Sequence, residues 1–140
     1  EGGTILCGGT QTTPENQPGL EGGYYIQPTI IEGLKYDCAV NQQEIFGPVV
    51  TIQPFETEEE AVSIANSTEY GLAATVWTND LKRAHRVAAE LETGICWVNC
   101  WLLRDLRTPF GGVKNSGVGR EGGFDALRFF TESQNVCIKL

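Results

Sequence analysis

Between Val49 and Asn99 the residue pattern switches between strand and helix periods at short, regular spacing, and this constrains the fold more than anything else in the 140 residues. Val49 to Phe55 is rich in β-formers. Thr57-Glu58-Glu59-Glu60 then spells a capping box, with the Thr57 hydroxyl facing the first free N–H groups and Glu60 able to reach back. The three glutamates also sit at the positive end of the helix dipole. Ala61, Ile64 and Ala65 form the apolar face of that helix, and Gly71 is expected to close the segment. Ala73 to Trp77 reads as the next strand. Asp80 caps a second helix whose Leu81, Ala84, Val87, Ala88 and Leu91 keep the i, i+3, i+4, i+7 spacing. Gly94 stands at the expected C′ position, and Ile95 to Asn99 reads as a third strand. Two crossovers this short predict a parallel βαβαβ core with right-handed connections, so the fold class is α/β.

The flanks are less regular. Thr4–Cys7 is a short apolar strand stopped by Gly8-Gly9, and Thr12 to Gly23 is a surface loop or hairpin connection dense in Pro, Gly, Asn and Gln. Tyr24 to Ile31 reads as a strand with Pro28 at its edge or start. After Asn99 the periodicity stops for some twenty residues. A short helix over Phe124 to Phe130 and an alternating strand over Asn135 to Leu140 follow. No internal repeat, low-complexity tract or linker interrupts the chain.

Ten basic residues against eighteen acidic give a net charge of −8, which argues against nucleic acid or an anionic membrane as partner. No apolar run approaches the roughly 20 residues of a membrane span, and Glu1-Gly2-Gly3-Thr4-Ile5 has no basic n-region of a signal peptide. The first residue is not Met, as expected of a cut or trimmed longer polypeptide. Five scattered cysteines (Cys7, Cys38, Cys96, Cys100, Cys137) match neither a disulfide framework nor a Cys-x-x-Cys metal spacing. They read as buried, reduced thiols of a cytoplasmic protein. With one histidine and no ligand cluster, no metal is expected.

Three motifs invite a chemical reading. The first is Glu44-Ile45-Phe46-Gly47-Pro48-Val49, and the second is Pro109-Phe110-Gly111-Gly112-Val113-Lys114-Asn115-Ser116-Gly117. The third, Gly117-Val118-Gly119-Arg120-Glu121-Gly122, fits G-x-G-x-x-G. A dinucleotide fingerprint needs a preceding strand and an acidic residue some twenty positions on. Here an irregular Gly-rich loop precedes it and position 137 is Cys, so this match is coincidental. The other two motifs together, from Gly3 to Leu140, resemble the C-terminal part of the aldehyde dehydrogenase superfamily. The resemblance implies that Glu44 hydrogen-bonds the nicotinamide ribose hydroxyls and that Phe46 packs near the nicotinamide ring of NAD, with NADP not excluded. A carboxylate suits the first role because it accepts two charge-assisted hydrogen bonds at once. The plain alternative is a Gly47-Pro48 turn with Phe46 in the core and Glu44 solvated.

The resemblance also implies a covalent route: cysteine attack on the aldehyde, hydride transfer, and hydrolysis of a thioester. The family's nucleophile, general base and dinucleotide-binding domain correspond to residues before Glu1. None of the five cysteines has the family's nucleophile context, so no catalytic residue is expected here and the 140 residues alone are expected to be inactive. His85 lies among Lys82, Arg83 and Arg86, on a solvated helix face and not beside a thiol.

Trp101 to Phe110 corresponds to the aldehyde tunnel of the family. Leu103 and Phe110 are expected in its wall. Arg104-Asp105-Leu106-Arg107 resembles the 2-hydroxymuconic and 2-aminomuconic semialdehyde dehydrogenase branch, whose substrates carry a carboxylate remote from the aldehyde. A guanidinium pairs with such a group bidentately, Arg104 being the first candidate and Arg107 the second. The plain alternative is a surface ion pair with Asp105, worth little. Gly111-Gly112 marks a close backbone approach. Residues 1–131 are then a partial catalytic domain, and 132–140 a strand that pairs with another subunit in a homo-oligomer, since an apolar edge must be covered.

Two readings from other classes compete with this. A truncated interaction module would assemble with full-length subunits without turnover. A small nucleotide-binding protein would bind NAD by itself, although the helix N-terminus that holds phosphate is missing.

Overall fold

The computed structural model describes residues 1–15 and 17–140, so the Thr12 to Gly23 connection is described except at Asn16. The chain divides into two compact units, Glu1–Thr68 and Glu69–Leu140.

The first unit holds β1 (Thr4–Cys7), β2 (Gln11–Thr12), β3 (Tyr25–Ile26), β4 (Thr29–Glu32), α1 (Ala39–Gln42), β5 (Val49–Ile52) and α2 (Glu58–Asn66). β4 is the centre of a three-stranded sheet, antiparallel to β1 and parallel to β5, with Thr29 opposite Val49 and Glu32 opposite Ile52. β2 and β3 form a separate antiparallel pair, so the polar connection between them is a hairpin. The expected strand over Tyr24 to Ile31 is divided at Gln27-Pro28, because Pro28 has no N–H for a ladder. Thr29, which is buried, seals the break: its hydroxyl donates to Gln27 O and accepts from Gly9 N–H, both at 2.8 Å.

The Thr57 cap forms as the sequence requires, its Oγ1 accepting from Glu60 N–H at 3.1 Å. Glu60 reaches back one residue further than expected and accepts from Glu56 N–H at 2.7 Å. α2 ends at Ser67, whose hydroxyl donates to Ile64 O. Gly71 is therefore not its terminator but part of the following strand, where a Cβ would run into Glu92 O.

The second unit holds β6 (Tyr70–Gly71), β7 (Ala73–Val76), α3 (Leu81–Glu90), β8 (Ile95–Val98), β9 (Val113–Lys114) and α4 (Gly123–Phe130). β7 and β8 pair in parallel, Ala73 opposite Ile95 through Val76 opposite Val98, and α3 packs on both with Ala84 buried. Asp80 caps α3 through Oδ1, which accepts from Lys82 N–H at 2.8 Å and Arg83 N–H at 3.1 Å. The α/β class holds, with the parallel pairings in two sheets: β5 takes β4 as its partner and β7 takes β8. Helix period announces a crossover but not which strand the next one joins. β6 and β9 make a short antiparallel pair.

Three expectations are corrected. α3 ends at Leu91, and Gly94 is not a C′ residue; it is glycine because a Cβ there would fall on the Gly111 carbonyl. The strand expected over Asn135 to Leu140 is not formed: among the described residues none pairs with it in a ladder, and residues 131–140 are exposed throughout. The cysteines are free but none is buried: Cys7 and Cys137 are exposed and the other three half-buried. Cys7 stands on β1, whose four residues are all exposed, and Cys137 lies in the unladdered tail. Among the described residues no helix is long and apolar enough to cross a membrane, and no three His, Cys, Asp or Glu side chains converge as a metal site.

Two outcomes follow from these contacts. Gly94→Ala forces the β8 entrance away from Gly111 and lowers stability by about 3 kcal/mol or more, read as a drop in the thermal midpoint of the full-length product. The Asp80 carboxyl is held below its ordinary range, chiefly by the Arg83 N–H and also by that of Lys82. The helix is thus supported above the ordinary Asp range, and that support is lost as pH falls through the depressed value. Asp80→Asn, which keeps an acceptor oxygen, flattens this acid limb in a titration of helix content.

Candidate functional site

The sequence-predicted site residues fall in two places, one in each unit. In the first unit, α1 is tied to the preceding loop by Asn41 Nδ2, which donates to Lys35 O, and Gln42 Nε2, which donates to Tyr36 O, both at 2.7 Å. Downstream, Pro48 O accepts from Thr29 N–H at 2.8 Å, fastening the start of β5 to β4. The segment between these anchors carries Glu44 and Phe46. Both rim a hollow of about 320 Å³ that also includes Asn41 and Thr51. Glu44 is exposed, and among the described residues nothing donates to its carboxylate.

Phe46 is 92% exposed, with φ at +54°. A bulky residue in the left-handed region is strained, and its ring gains nothing from packing here. Of the plain alternative, the solvated Glu44 is found and the Phe46 in the core is not. The backbone is instead bent to present a ring and a carboxylate at the same rim. That arrangement can stack on a flat heterocycle and accept hydrogen bonds from a vicinal diol beside it.

In the second unit, the site grows from the end of β8. Asn99 has φ +53°, tolerable for Asn, and its side chain bridges to Thr78: Oδ1 accepts from Thr78 N–H and Nδ2 donates to Thr78 O. Trp97, buried at the end of β8, sends its indole N–H to Leu103 O at 2.9 Å and meets the Trp101 ring edge-on at 5.1 Å. Leu103 is thus fixed by its backbone while its side chain is exposed.

Arg104 comes next, and its guanidinium lies 3.8 Å above the Phe110 ring. Stacking uses the face of the guanidinium and leaves its N–H edge for an acceptor. Arg107 behaves otherwise. Its Nε donates to both Asp105 oxygens at 2.9 and 3.1 Å, its Nη2 pairs with Oδ2, and its backbone N–H donates to Oδ1. The Arg107 guanidinium holds the Asp105 carboxyl below its ordinary range. The expected surface ion pair therefore exists, but it belongs to Arg107. Arg104 has no carboxylate partner among the described residues.

Phe110 is half-buried and exchanges two 2.8 Å backbone hydrogen bonds with Glu121. The glycine run thus folds back as a partner for the Phe110 segment. Gly111 meets the Gly119 carbonyl too closely for any Cβ, and Gly119 lies against the Phe129 ring. Arg120 Nη1 donates to Gly112 O and Gly119 O at 2.8 Å. This is a packed backbone layer. Burial pushes the Cys96 thiol pKa up, away from thiolate chemistry, and His85 is exposed on α3.

The structure brings Arg104 and Phe110 together and turns Arg107 toward Asp105. Sequence reasoning missed Trp97 and Arg120, and gave Asp105 only as a surface ion-pair partner. A Trp at the end of a buried strand needs a partner for its N–H, and that need was the available signal for Trp97.

The sequence profile of the aldehyde dehydrogenase family matches residues 1–136. A 2-hydroxymuconic semialdehyde dehydrogenase from a Pseudomonas species is 58% identical over 140 residues, covering all of this chain and 28% of that protein. A 2-aminomuconic semialdehyde dehydrogenase from Danio rerio is 52% identical, covering 99% of this chain and 28% of that one. Among solved structures, HpcC from Thermus thermophilus matches with a TM-score of 0.87 at 44% identity, over 99% of this chain and 28% of that chain. An aldehyde dehydrogenase from Mycobacterium tuberculosis complexed with NAD+ matches at 0.83 and 43% identity, over 94% and 26%. The chain spans about 28% of the length of these curated relatives.

The strain at position 46 yields a test. Phe46→Gly removes the left-handed penalty at the loss of little packing, so it stabilises the fold by up to about 1 kcal/mol while deleting the presented ring. A raised thermal midpoint accompanied by weaker binding of a nicotinamide nucleotide is the expected pair of results in the full-length product.

Proposed function

The chain belongs to the aldehyde dehydrogenase family, and we propose that it supplies the nicotinamide-ribose anchor and part of the substrate tunnel of an NAD(P)-dependent enzyme that oxidises a carboxylate-bearing semialdehyde to the acid. The observation that carries this reading is Arg104. Its charged edge is unpaired, its face rests on Phe110, and the neighbouring arginine is already neutralised. A single oriented guanidinium at the wall of a tunnel suits one remote carboxylate. Leu103 and Phe110 provide the apolar wall. The names of the muconic semialdehyde relatives agree with such a substrate. Arg107, the second candidate, is left to hold Asp105.

The residues present fit one end of the cofactor. Glu44 offers an unpaired carboxylate for the ribose hydroxyls and Phe46 an uncovered ring for the nicotinamide, at one rim. The packing of the Gly117–Gly122 run against the Phe110 segment supports leaving the pyrophosphate to other residues. When bound, NAD accepts the hydride; the work of Glu44 and Phe46 is to hold and orient. The nucleophile and base belong to segments other than these 140 residues, which are inactive by themselves. The enzyme is a cytoplasmic homo-oligomer in which residues 132–140 find their ladder on another subunit. This alternating tail, exposed here, supports that last point.

Glu44→Gln in the full-length product tests the cofactor role. Losing the charge on an acceptor of two hydroxyl hydrogen bonds is expected to lower kcat/KM for NAD by about tenfold or more, with the protein still folded. An unchanged value would remove Glu44 from the site.

A further inference from the structure

Among the described residues of its loop, Arg104 is the charged one whose side chain meets no fixed polar partner, yet the backbone on either side of it is tightly held. Before it, the indole N–H of buried Trp97 holds Leu103 O at 2.9 Å. After it, Asp105 closes a small turn: its Oδ1 accepts from Arg107 N–H at 2.9 Å, and its carbonyl accepts from Thr108 N–H at 3.0 Å and Thr108 Oγ1 at 2.7 Å. The Arg107 guanidinium locks the same carboxylate from outside. Leu102, directly before the first clamp, has φ +55°, a conformation that a Leu keeps only where its surroundings enforce it.

We propose that Trp97 and Asp105 are positioning residues that fix Arg104 from its two sides and so set selectivity for a carboxylate-bearing aldehyde. This rests on the reading of Arg104 as the carboxylate partner. A flexible arginine would lose its freedom on binding a carboxylate and would tolerate many placements of that group. A loop clamped at residues 103 and 105, with the guanidinium stacked on Phe110, has already lost that freedom and tolerates few. Asp105 has a second consequence. It removes Arg107 from competition, so that one cation and not two faces the substrate.

The test compares, in the full-length product, kcat/KM for a semialdehyde ending in a carboxylate with that for an aldehyde of equal length ending in methyl. Arg104→Gln examines the underlying reading and is expected to cut the charged-to-neutral ratio by about ten- to a hundredfold. Trp97→Phe keeps a ring and deletes the N–H; it should lower the same ratio about fivefold with the neutral aldehyde little affected. Asp105→Ala is at an exposed position that endangers folding least, and it decides the matter if the tryptophan variant does not fold. Deleting that acid makes the loop more positive, so bare electrostatics raises the ratio. Positioning lowers it, by about three- to tenfold. A flat response to Arg104→Gln would sink the reading of Arg104 and this inference with it. A sensitive Arg104 combined with a raised or unchanged ratio in Asp105→Ala would overturn positioning alone.

Discussion

The second unit depends on one place where two stretches of backbone come closer than any side chain permits. Gly94, at the entrance to β8, lies against the Gly111 carbonyl; Gly111 lies against Gly119, and Gly119 against the Phe129 ring. The first two approaches are to backbone carbonyls and leave no room for a Cβ, so Gly94 and Gly111 are required by packing and not by turn geometry. The layer brings the Phe110 segment to the entrance of β8, and Phe110 is what Arg104 rests on. Arg120 ties the same layer by accepting nothing and donating to two carbonyls. The glycine-rich run thus resembles a phosphate loop in its spacing, while physically it acts as a thin wall.

Charge in the loop after β8 follows a similar economy. Two arginines and one aspartate sit within four residues, and any of several pairings would satisfy electrostatics. The turn at Asp105 selects one, because Arg107 N–H and the Arg107 side chain reach the same carboxylate together. Arg104 points elsewhere by exclusion and stacks on an aromatic face. Surface ion pairs add little stability. Here the pair matters because it decides which cation stays available.

Much of the fold was legible in local signals. Thr57 and Asp80 cap the two helices because each offers an oxygen to N–H groups that no other atom can reach. The spacing of Ala84, Val87 and Ala88 announced the face of α3 that turns inward, with Ala84 buried and the other two half-buried. Long-range facts were not legible. Gly94 at the end of a helical pattern looks like a C′ glycine, and only the distant Gly111 shows why it is there. The partner of β5 could not be chosen from period alone, and the alternating tail looked like a strand although this chain supplies no ladder for it. Of the site, Glu44 and Arg104 were visible as residue types in motif context. The roles of Trp97 and Asp105 depend on an indole N–H and a side-chain turn whose partners appear only in three dimensions.

The Trp97–Trp101 pair has an optical consequence. Two indoles 5.1 Å apart and inclined by 62° couple their ultraviolet transition dipoles, and the coupling changes sign and size with their mutual angle. Trp97 is held by its strand, whereas Trp101 belongs to the loop that carries Arg104. Circular dichroism in the indole bands therefore carries a signature of the loop's conformation that does not depend on turnover. The molecule contains its own gauge of whether the arginine is set.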